Sequence, residues 1–85
     1  MHDTYLLSKI SKMLQVLCNE NKLNKVKYLK IIVDLNSHIN VNDLSEYLLM
    51  HNKELLNYDF KIDIIKDNIE KQTAIIETIQ GEQIE

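Results

Sequence analysis

Asp34, Asn36, His38, Asn40, Asn42 and Ser45 fall at the 1, 3, 5, 7, 9 and 12 spacing of a calcium-binding EF-hand loop, with Val41 at its apolar eighth position. Oxygen ligands so spaced can wrap a hard cation. Two residues break the pattern: Ile39 stands where glycine makes the sharp turn, and Ser45 stands where a bidentate Glu closes the coordination sphere. Only Asp34 brings a formal charge, and His38 is a poor calcium ligand. The other metal-ligating side chains, His2, His51 and Cys18, lack any zinc spacing. No metal or cofactor is expected.

A nucleophilic Cys–His pair would have to form in space, since none is adjacent in sequence. Cys18 falls in an apolar helical stripe, where a thiol packs as a small hydrophobe. There is no glycine-rich phosphate loop. Enzymatic activity is therefore not expected.

Nucleic-acid chemistry fares little better. Tyr28–Leu35, a short turn and Val41–Leu48 resemble the first part of a helix-turn-helix unit. The segment that should follow as the recognition helix, residues 51–59, holds one lysine and two acids. Phosphates would repel it and the more acidic stretch beyond. Lys22, Lys25, Lys27 and Lys30 are separated by apolar residues and claim no face of their own. A DNA-binding regulator is thus the second reading, and nucleic acid is not the expected partner.

The elements that would position these groups read as helices. There is no Pro and a single Gly, and the 45% hydrophobic content is rich in Ile and Leu. Asp3 or Thr4 can cap a first helix carrying Leu6, Leu7, Ile10, Met13, Leu14 and Leu17. A second would start at Asn21 or Asn24 and carry Leu23, Val26, Leu29, Ile32 and Val33. The Ile31–Ile32–Val33 run also suits a strand, but a helical reading of the rest leaves it no partner. After the loop Asn36–Ser37–His38, Asn40 or Asn42 caps a third helix with Leu44, Tyr47, Leu48 and His51 on one side.

The last stretch dominates. Leu55, Tyr58, Ile62, Ile65, Ile69, Gln72, Ile76 and Ile79 alternate spacings of three and four, the heptad seam of a coiled coil with one polar member. Gly81 stands where a helix C-cap would be. Such a helix would run roughly 40 Å, against a radius of gyration of about 12 Å for a domain of this length. Either it breaks at Asn57–Tyr58–Asp59 or its far end packs on another chain.

The expectation is an all-α bundle of three to four helices with a long C-terminal amphipathic helix. It would form one domain over residues 1–80, followed by a frayed acidic tail at 81–85. The seam residues Tyr58, Ile62, Ile65, Ile69, Gln72, Ile76 and Ile79 would form a dimer or partner interface. The acids Asp59, Asp63, Asp67 and Glu70 would give a specificity surface for a basic protein partner.

Charge is uneven: residues 1–33 carry +4 and residues 34–85 carry −7, for a net −3, a split that suits a small bundle complementing itself, with the acidic half the better candidate for an external contact. The function expected is a non-enzymatic interaction module: a regulator, inhibitor or adaptor, homodimeric. A small helical chaperone for a secreted or toxic client is a further alternative. No apolar run approaches the ~20 residues of a membrane span, and a signal-peptide start is missing, so a cytoplasmic, soluble protein is expected. Abundant Lys, Asn and Ile, with no Arg, point to an A+T-rich genome, such as that of a low-G+C bacterium, phage or large DNA virus.

Overall fold

Helix α1 (Thr4–Glu20) follows from its periodicity. Leu6, Leu7, Ile10, Leu14 and Cys18 recur on one side and are buried. The computed structural model describes residues 4–84, so a capping role for Asp3 lies outside the described residues. Helix α2 (Val41–His51) is capped by Asn40, whose side-chain oxygen accepts the Asp43 backbone N–H at 2.8 Å. It buries Leu44 and Leu48 and ends at Asn52, followed by a short 3-10 turn (Lys53–Leu55). These two helices match the first and third expected from sequence.

The rest overturns the all-α bundle. The expected second helix is strand β1 (Leu23–Asp34), and the expected long heptad helix is two strands, β2 (Leu56–Asp67) and β3 (Ala74–Gln83). They form one mixed sheet in the order β2-β1-β3, with β2 parallel and β3 antiparallel to β1. The coiled coil and the C-terminal helix do not exist. Gly81, read as a C-cap, and residues 82–83, read as frayed tail, lie in β3. Beyond them the Ile84 N–H donates to the Lys22 carbonyl at 2.7 Å.

The physical reason lies in two accidents of spacing. β1 pairs irregularly between Leu23 and Lys25 and between Val26 and Tyr28. Each irregularity shifts the alternation by one residue, so the buried Leu23, Val26 and Leu29 fall three apart and imitate a helical stripe. Past the bulge the alternation is regular: Leu29, Ile31 and Val33 are fully buried. In the C-terminal stretch, the apparent seam joins residues from two strands and the turn between them. Inside β2 the true pattern is Phe60, Ile62, Ile64 alternating with Asp59, Lys61, Asp63.

Both helices lie on the same face of the sheet, α1 against β1 and β3 and α2 against β2, and they touch each other. The core is therefore one layer, built from Leu6, Ile10 and Leu14 of α1, Leu44 and Leu48 of α2, and Val26, Leu29, Ile31 and Val33 of β1. A buried polar pair locks the two helices together. The Ser11 hydroxyl donates to Asn52 Oδ1 at 2.6 Å, and Asn52 Nδ2 donates back to the Ser11 carbonyl at 3.3 Å. Among the described residues, every buried side-chain nitrogen and oxygen has a hydrogen-bond partner.

Candidate interaction surfaces

Among the described residues, no helix covers the sheet's second face. The register there sets three isoleucines abreast: Ile32 of β1 stands beside Ile65 of β2 and Ile75 of β3. Ile65 is 41% exposed and Ile75 48% exposed. Aligned neighbours in a sheet are about 5 Å apart, so three β-branched side chains form a continuous apolar bar across the strands. Charges border it. Lys30 lies beside Asp63, and its ammonium reaches the Glu77 carboxylate at 3.9 Å. The Tyr28 hydroxyl donates to Asp63 Oδ2 at 2.7 Å. That bond, more than desolvation or the nearby acids, holds the Tyr28 phenol above its ordinary range. Lower on the same side, Lys27 meets Glu82 at 3.3 Å.

A second apolar surface runs between α1 and the outer edge of β3. Lys9, Lys12, Met13, Val16 and Leu17 line it from the helix, and Ala74, Ile75 and Ile76 from the strand. The groove encloses about 490 Å³. Val16 is 54% exposed although its neighbours are apolar. The spacing Lys9, Lys12, Met13, Val16 explains the arrangement, since it is one stripe of α1 beside the core-facing one. Lys9 also sits 6.0 Å from the centre of the exposed Tyr5 ring. Sequence reading missed this groove, because it depends on β3 being a strand.

The structure disperses the residues chosen from the heptad. Ile62, Ile76 and Ile79 pack toward the helices. Ile65 points to the open face, and Tyr58 is 95% exposed. Ile69 and Gln72 lie in the connection between β2 and β3, with Gln72 in the left-handed region at φ 58°. The acids keep more of their grouping. Asp63 and Asp67 share the open face of β2, because a spacing of four is even and so co-facial on a strand as well as on a helix. Asp59, hydrogen-bonded by the Asn57 side chain, is exposed on the same strand, and Glu70 lies in the connection.

The groups weighed for chemistry stay apart. Asp34 accepts the Asn36 N–H at 3.3 Å, and Ser37 Oγ accepts the Ile39 N–H at 3.2 Å, so this loop folds on its own backbone. His51 stacks on Tyr47, with ring centroids 4.2 Å apart. Burial pushes the Cys18 thiol up, which lowers its thiolate fraction. Among the described residues no three His, Cys, Asp or Glu side chains gather as a metal site. The helix-turn-helix unit fails at its start, because Tyr28–Asp34 is strand. Among the described residues, no helix is long and apolar enough to cross a membrane.

Comparison with known protein families, curated proteins and solved structures finds no match.

Proposed function

We propose that the chain is a non-enzymatic protein-interaction module that associates with a second copy of itself through the open face of its sheet. The supporting observation is the Ile65–Ile32–Ile75 bar, uncovered on the face opposite the helices. A chain of 85 residues buries only somewhat over ~60% of its unfolded surface, so it gains from association. The bar has the make-up of an interface centre, and the Lys30, Asp63 and Glu77 group has that of a mixed-charge rim. A face carrying both signs can meet its own copy across a two-fold axis. Each half-exposed isoleucine so covered contributes roughly 1 kcal/mol.

Ile65→Glu tests the reading. Ile65 lies outside the helix-covered core, so the variant folds with wild-type circular dichroism. Sedimentation across a concentration series should give a dimer for the wild type and a monomer for the variant. A wild type that stays monomeric at high concentration, or a variant that still dimerises, removes the open face from the account.

A further inference from the structure

We propose that the groove between α1 and β3 binds an extended, acidic segment of a foreign polypeptide, added to the sheet as a fourth strand along β3. Two observations converge on this site. β3 is an edge strand, so one row of its backbone donors and acceptors faces away from β1. The groove borders the first three residues of β3 and is walled by Met13, Val16 and Ile76. A strand laid along β3 would turn every second side chain toward α1, into those walls.

Charge names the occupant. Lys9 and Lys12 stand on the helix wall, in a chain whose net charge is −3. A second copy of β3 does not answer them. Its only acids within the strand, Glu77 and Glu82, already meet Lys30 and Lys27 of β1. Pairing β3 with β3 would bring two sets of groove lysines together with no carboxylate between them. Strand β2 of another copy is a poor match too, because Lys61 shares a side with Asp63 and Asp67 and the strand pairs irregularly between Leu56 and Lys61. The groove therefore suits a foreign segment whose every second residue, turned toward α1, is by turns branched apolar and acidic. This surface is separate from the isoleucine bar except at Ile75, and its occupant is a different molecule.

The probe is a fluorescein-labelled synthetic peptide repeating Val-Ser-Glu-Ser, so that Val and Glu share one face of the strand, matched in length to the ten residues of β3. Its control has Lys in place of each Glu. Fluorescence anisotropy with the full chain should show the acidic peptide binding at least tenfold tighter, with the advantage falling as salt is raised. The double variant K9E/K12E should reverse the preference. Val16→Glu should weaken the acidic peptide at least tenfold, and an acidic peptide N-methylated at alternate residues should lose binding because it cannot pair as a strand. Ile65→Glu should leave peptide binding unchanged, which separates this site from self-association. Equal binding of the two peptides, an acidic preference that survives K9E/K12E, or full binding of the N-methylated peptide would overturn the proposal. Circular dichroism and a urea transition on each variant confirm that it is folded.

Discussion

The two edges of the sheet are built to opposite specifications. β2 carries Asp59, Lys61, Asp63, Lys66 and Asp67, so charge is never more than two residues away over the last two-thirds of its length. Its pairing with β1 is also irregular between Leu56 and Lys61. Charge and bulging are how sheets keep an edge from recruiting another strand. β3 has two acids in ten residues, both held by lysines of β1, and an apolar groove opens under its edge. It too has a bulge, at Glu77, between the Lys30 and Ile31 pairings. Charge is thus what separates the two edges: dense along β2, and along β3 limited to two acids that meet lysines of β1.

The strands are also fastened differently, and Val26 is where this can be broken. On one side it pairs with Leu56 of β2, on the other with Gly81 of β3. A Cβ at position 81 would lie 2.1 Å from the Lys25 carbonyl oxygen, a backbone atom that cannot step aside. Gly81→Ala should therefore have the largest effect, a loss of about 3 kcal/mol or more in urea unfolding, since β3 must lift off β1 or slip. Leu56→Ala acts through a missing side chain instead. Leu56 is 6% exposed, and its truncation should cost about 2–4 kcal/mol by the same measurement, with β3 pairing intact by amide exchange.

Smaller effects sharpen the contrast on the open face. Below the ordinary phenol range the Tyr28–Asp63 bond between β1 and β2 is fully present. Because the folded form holds this proton more tightly, its contribution is lost as pH rises through the raised Tyr28 value. Absorbance titration should show a phenol component ionising above the ordinary phenol range, and Tyr28→Phe should remove that component. The matching tie to β3, Lys30 with Glu77, is long and solvent-exposed. Glu77→Gln should change stability by no more than about 0.5 kcal/mol. Last, Gln72→Gly should raise stability by up to ~0.5 kcal/mol, since φ 58° strains a side-chain-bearing residue but not glycine.

Helices α1 and α2 were legible in the sequence because their determinants are local. The periodicity of Leu6, Ile10 and Leu14 and the cap at Asn40 need no distant partner. The sheet was not legible because its determinants are pairwise. Ile31–Ile32–Val33 was recognisable as a strand but was denied for want of a mate, and the mates were hidden inside an apparent heptad. The alternation Phe60, Ile62, Ile64 against Asp59, Lys61, Asp63 was the available signal. Spacings of three and four drawn across Asp67–Thr73 concealed the turn. The acids at spacing four survived because that interval keeps residues on one side in either kind of element, whereas intervals of three sent Ile62 and Ile65 to opposite faces.

The order β2-β1-β3 also bears on how the molecule is made. A ribosome delivers the chain from its N-terminus at roughly 5–20 residues per second. The central strand thus emerges first, with both flanks naked, and about forty residues must follow Asp34 before Ala74 appears. Residues 30–33 gain β2 as a native neighbour when Leu56–Asp67 follows, but their other flank stays open until β3 appears. Native assembly is therefore deferred until the closing strand leaves the tunnel. A nascent chain stalled in the connection at 68–73 would leave the β3 flank of β1 unpaired.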